Sequence, residues 1–216
     1  MPPLALTIAL IAAAYLIGSL SGSLLFGRLR GLDVREHGSG NAGATNAMRV
    51  AGWRFALAVA VFDIAKGAFA AWLGLTYAVP GQALSVTAHG YACGFAAMVG
   101  HVWPLWHGLR GGKGGATLVG VLLWLWPWVL PVVLITWGAT VLLSGYVGLA
   151  TILAVLALPP WAWFTGAEPP RLWFSVAAAA LVLFAHRGNL SRLRRGEESR
   201  FGRARLLHRL RRGGRR

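Results

Sequence analysis

Apolar residues in this chain fall into long runs separated by short polar, glycine-rich stretches. The runs are Leu4 to Leu25, Arg54 to Leu75, Gln82 to Trp103, Ala116 to Gly145, Val147 to Thr165 and Leu172 to His186. Most approach the roughly 20 apolar residues that a helix needs to cross a bilayer. The first run lacks a basic leader and a small-residue cleavage site, so it is expected to be a retained helix. The Ala116 to Gly145 run holds Pro127 and Pro131, and proline ends a helix at the residue before it. Two shorter helices meeting near Trp126 to Pro131 are therefore expected there. The pattern predicts an all-α, polytopic membrane bundle of about seven helices with one proline-broken pair, or five spans if that pair is re-entrant. Turns are expected at Pro80-Gly81 and at Gly166 to Pro170.

Composition supports this class. Hydrophobic residues make up 56% and charged residues 12%, against roughly 25% charged in a soluble domain, so a water-soluble fold and a disordered chain are both excluded. A single cysteine, Cys93, excludes a disulfide scaffold and a multi-cysteine zinc site. The net charge of +15 does not imply nucleic acid, because twelve of the 21 Lys and Arg lie between Arg187 and Arg216. A basic block beside apolar spans reads as an orientation signal and an anionic-lipid contact. With the 27–53 loop inside the cell, nineteen of the 21 basic residues fall on that side. The N-terminus is then outside, the C-terminus cytoplasmic, and every tryptophan except Trp137 lies near an interface. One membrane domain over 1–200 and a basic cytoplasmic tail over 201–216 are expected.

Three polar segments share the basic side. In the first, Gly38, Gly40 and Gly43 let consecutive backbone N–H groups converge on an anion, while Ser39, Asn41, Thr45, Asn46 and Arg49 add donors and a fixed charge. The same glycines match G-x-G-x-x-G with Asp63 twenty residues on. The charged Arg28 to His37 stretch offers no buried strand before them, so a dinucleotide site is rejected. The second segment, Gly108 to Thr117, brings Gly112, Lys113 and Gly114. It has His107 and Gly114 where a P-loop needs Gly and Ser/Thr, which leaves a lysine in an exposed-backbone loop suited to phosphate. The third is His186-Arg187-Gly188-Asn189, in which His186 and Asn189 share a helix face. His186 is a candidate proton acceptor. A mutual ion pair is the preferred reading of Asp63 and Lys66, three residues apart within a span. His101 and His107 are not expected to bind metal, and His89 and Cys93 read as packing residues.

Together these segments resemble the bacterial acyl-phosphate-dependent glycerol-3-phosphate acyltransferase family (PlsY). The matches are Ser21-Gly22-Ser23 with Gly27; Gly31-x-Asp33-x-Arg35; Gly38 to Asn46 with Arg49; Asp63-x-x-Lys66-Gly67; Gly100-His101-x-x-Pro104; Gly111 to Gly114; and His186-x-x-Asn189 with Arg192 and Gly196. The chain departs from the family pattern at Ala185, where arginine is usual, and at Gly148, where serine is usual. The resemblance implies an inner-membrane enzyme that moves a fatty acyl group from acyl phosphate to the 1-hydroxyl of glycerol 3-phosphate, without metal or cofactor. It implies His186, Ser39 and Asn189 as catalytic candidates. Ser39, Asn41, Thr45 and Asn46 would hold the acyl-phosphate head, and Arg49, Lys113 and Asn189 the glycerol 3-phosphate. The base is either His186 or the substrate's own phosphate.

A membrane transporter of phosphate or a phosphorylated small molecule is the main alternative; it would carry an inverted repeat, and none is visible. A lipid-binding structural protein is less consistent with so many polar side chains at three loops. The His-x4-Asp acyltransferase motif is absent, and two aspartates are too few for the CDP-alcohol phosphotransferase pattern.

Overall fold

A computed structural model describes residues 3–78 and 84–201. Among them the chain is helical, without strands. Pro3–Gly18 (α1) and Gly22–Arg28 (α2) lead to Ala44–Thr76 (α3) and Val86–Val102 (α4). Gly115–Leu125 (α5) and Leu130–Ser144 (α6) are followed by Val147–Leu156 (α7), Leu158–Phe164 (α8), Pro169–Ala185 (α9) and Arg187–Arg194 (α10). The Pro80-Gly81 turn and the tail from residue 202 lie outside the described residues.

Ala44–Thr76, Pro127–Ser144 and Val147–Phe164 are each long and apolar enough to span a membrane, and counting two bent pairs raises the number to five. These candidates are counted among the described residues, where α4, with 17 residues, and α5, with 11, are shorter than any of those three. The break expected near Pro127 is present, with a turn of 3-10 helix over Pro127–Val129. The structure adds further breaks. The first apolar run bends by 52° between α1 and α2. Helix α3 begins ahead of the expected span and is interrupted at Gly52, where φ of 81° admits glycine readily.

The break between α1 and α2 explains the buried charges. Lys66 Nζ donates to the Leu20 carbonyl at 2.7 Å, and the Gly22 N–H donates to Asp63 Oδ1 at 3.3 Å. The ion pair, at 2.8 Å, thus satisfies backbone groups that the interrupted helix leaves open.

Apolar surface gives little drive for helices to associate in lipid, so close packing decides. Glycines make it possible. Gly18 of α1 lies on the Ala97 backbone of α4, and Gly100 of α4 on the Tyr15 carbonyl. Gly67 of α3 meets the Thr117 carbonyl of α5, and Gly120 of α5 meets that of Ile64. A Cβ at Gly74 would come within 2.7 Å of Cys93 Sγ, so Cys93 is a packing residue as expected, and His89 is buried beside it. Trp53, Trp128, Trp163 and Trp173 are well exposed, but Trp126 is buried, with the Arg171 guanidinium 5.1 Å from its ring.

Candidate active site

The first polar segment is shaped by its own side chains. Asn46 is 1% exposed. Its Oδ1 accepts the Ser39 N–H at 2.8 Å, and its Nδ2 donates to the carbonyls of Val34 and His37. Asn46 therefore builds the loop as well as bordering the site. Asn41 accepts the Gly43 N–H at 2.9 Å. Gly38 and Gly40 take positive φ, 63° and 70°, and turn the chain.

A second set of contacts ties this loop to the next. Arg35 Nη1 donates to the carbonyls of His107 and Arg110, while Nε and Nη2 grip Asp33. Hydrogen bonds from Arg35 hold the Asp33 carboxyl below its usual pKa. Ser23 Oγ donates to the Ala42 carbonyl at 2.6 Å. Gly112 packs against the His101 imidazole, leaving no room for a Cβ, and donates its N–H to the His101 carbonyl at 3.0 Å. Gly114, with φ of 83°, caps the start of α5. These two glycines position Lys113.

The three segments meet around one cavity of about 440 Å³. Ser39, Asn41, Gly43, Thr45, Asn46, Arg49, Lys113, His186 and Asn189 all line it. Gly38, Gly40, Gly112 and Gly114 do not; they shape the loops beside it. Lys113 Nζ donates to Asn189 Oδ1. Burial, followed by the repulsion of Arg192 and then Arg49, lowers the Lys113 pKa to about 8, although Glu198 opposes the shift. Arg49 forms no ion pair among the described residues; its guanidinium lies 5.3 Å from the Phe201 ring centre. His186 is 4% exposed, with Nδ1 2.8 Å from the Val182 carbonyl. A carbonyl only accepts, so Nδ1 carries the proton and a neutral ring keeps its lone pair on Nε2.

The rest of the lining is apolar: Leu118 and Val119 of α5, Val133, Leu134 and Trp137 of α6, and Ala154 and Val155 of α7. Along α7 the lining runs from Val147 to Val155, a rise of about 12 Å at 1.5 Å per residue. Trp137, the tryptophan away from the interfaces, donates its indole N–H to Thr151 at 3.3 Å beside this limb. The cavity suits a molecule with an anionic head and an apolar tail.

Three further lining residues, Glu198, Asp63 and His101, stand out in the sequence but were not assigned to the site from it. Glu198 is one of only six acids and sits within a basic stretch, the one signal that could have marked it. Asp63 and His101 also border the cavity. Their proximity joins α3 to α4, with Lys66 Nζ 2.9 Å from His101 Nδ1, and no spacing rule reports that contact.

Comparison with known proteins agrees with this architecture. The profile described as "Glycerol-3-phosphate acyltransferase" matches residues 8–196. A glycerol-3-phosphate acyltransferase of Gloeobacter violaceus is 42% identical over 202 residues, covering 93% of this chain and 96% of its own. One from Photorhabdus laumondii is 39% identical over 198 residues, covering 91% and 87%. A crystal structure of PlsY (YgiH), an integral membrane glycerol 3-phosphate acyltransferase in its glycerol 3-phosphate form, superposes with a TM-score of 0.83 at 32% identity, covering 91% of this chain and 96% of that one. The lysophosphatidic acid form gives 0.82 at 31% identity, covering 94% and 98%. This chain is an integral membrane protein of the acyltransferase class. It belongs to the glycerol-3-phosphate acyltransferase family.

Proposed function

We propose that the protein transfers a fatty acyl group from acyl phosphate to the 1-hydroxyl of glycerol 3-phosphate, giving lysophosphatidic acid and phosphate for phospholipid synthesis. The observation that carries this reading is the cavity itself, where Lys113 and Arg49 border the same space as the apolar side chains of α5, α6 and α7. A relative solved in a glycerol 3-phosphate form and in a lysophosphatidic acid form supports the same acceptor and product.

Acyl phosphate is an activated anhydride, so no enzyme-bound acyl intermediate is required. The acceptor oxygen attacks the carbonyl carbon, the bond from that carbon to the phosphate oxygen breaks, and phosphate departs with the bonding pair. The hydroxyl proton passes to His186 Nε2 or to a substrate phosphate oxygen. Ser39, Asn41 and Thr45 would hold the acyl-phosphate head in the loop that Asn46 organises. Arg49, Lys113 and Asn189 would hold glycerol 3-phosphate and offset charge developing on the oxygens. The site is read as lying at the cytoplasmic face of the inner membrane, by the bias of basic residues.

The test is purified protein with labelled glycerol 3-phosphate and acyl phosphate, with acyl-CoA as control donor. Labelled lysophosphatidic acid from acyl phosphate alone is expected. Product from acyl-CoA but not from acyl phosphate would overturn the donor assignment.

A further inference from the structure

An acid beside an anion site needs a reason, because its charge opposes the ligand's. Glu198 is 9% exposed and lines the cavity with Lys113 and Arg49. It is carried by a short segment after α10 that returns to the α6–α7 turn. There the Phe201 N–H donates to the Gly145 carbonyl at 2.8 Å, and Arg200 Nε donates to Tyr146 Oη at 2.5 Å. Glu198 Oε1 accepts from Asn189 Nδ2 at 2.6 Å, and Oε2 accepts from Arg192 Nε at 2.8 Å. On the other side of the amide, Asn189 Oδ1 accepts from Lys113.

An amide can rotate by 180° and exchange its oxygen for its NH2 group. A carboxylate only accepts and an ammonium only donates, so these two neighbours together permit one orientation. Gly148 permits the approach, since a Cβ there would stand 2.6 Å from Asn189 Nδ2. We infer that Glu198 is a positioning residue, which fixes the polarity of the Asn189 amide so that Asn189 holds the Lys113 ammonium toward the bound phosphate. The inference rests on the reading above, in which Lys113 and Asn189 hold glycerol 3-phosphate. It also accounts for the acid: Glu198 is spent on Asn189 and Arg192, which offsets its charge.

The test is calorimetric binding of glycerol 3-phosphate to the full-length protein in detergent, with turnover measured in parallel. Glu198→Ala should weaken binding about tenfold, as expected for losing the support of one hydrogen bond to a charged group. Glu198→Asp, which keeps both acceptor oxygens, should recover to within about threefold, and Glu198→Gln should recover less, since its NH2 group would face one of the two donors, Asn189 Nδ2 or Arg192 Nε. In an Asn189→Ala background, Glu198→Ala should add less than about twofold, because the two side chains act as one unit. Should Glu198→Ala fail to fold, the Asp and Gln variants make the same comparison. Unchanged or tighter binding in Glu198→Ala, or a further tenfold loss beyond Asn189→Ala, overturns the inference. Wild-type protein that binds glycerol 3-phosphate but does not acylate it would overturn the reaction, and the binding series would still judge Glu198.

Discussion

Lys113 carries a prediction at the level of a single side chain. Its pKa near 8, against an ordinary 10.5, means that its charge is lost as pH rises through about 8. Activity should fall over that range, and Lys113→Arg should move the fall to higher pH, because guanidinium keeps its proton. Lys113→Ala should lower kcat/KM about 100-fold, the scale seen when one donor to a developing oxyanion is removed. Activity within threefold of wild type would remove Lys113 from the site. His186→Ala separates the two proton routes. A kcat near wild type points to the substrate phosphate as base, and a fall of about 100-fold or more points to the imidazole.

Among the elements, the crossing of α3 and α5 is held by two glycines set against backbone carbonyls, Gly67 on Thr117 and Gly120 on Ile64. Overpacking of this kind costs about 1–3 kcal/mol or more. Gly120→Val should therefore lower the melting temperature in detergent, whereas the same change at Gly138, where a Cβ meets nothing within 4 Å, should leave it nearly unchanged. Equal melting temperatures would show that the crossing does not depend on close backbone approach. The Asp63–Lys66 pair belongs to this scale too. It was legible as a pair from its spacing; its task at the α1–α2 break was not, because the Leu20 carbonyl and Gly22 N–H are more than forty positions away in sequence.

For the molecule as a whole, the loops must share one side of the membrane. Cysteines introduced at Ser39, Leu109 and Arg195 should all react with an impermeant thiol reagent only after it is given access to the cytoplasmic face. The native Cys93 is buried and contributes little background. Labelling of any one position from the opposite face would dismantle both the orientation and the composite site. The apolar limb makes a second prediction. Trp137→Ala should widen it and shift the preference among acyl phosphates toward longer chains, read as a several-fold change in the kcat/KM ratio between a long and a short donor.

The hydrophobic runs determined that the chain is a helical membrane protein, since backbone polar groups in lipid must be satisfied within helices or closed barrels. Local motifs likewise marked eight of the cavity's polar residues and Gly43 among them, because the bends and charges that suit phosphate are short-range properties of Gly38 to Arg49, Gly108 to Thr117 and His186 to Asn189. Tertiary structure decided where helices break, which loop residues face the cavity and which only shape it, and that Glu198 meets Asn189. Those outcomes depend on contacts between distant segments: Arg35 with the 107–110 loop, Gly112 against His101, and Lys113 with Asn189. Periodicity and spacing describe neighbours along the chain, whereas a hydrogen bond across seventy residues exists only once the backbones between them have packed.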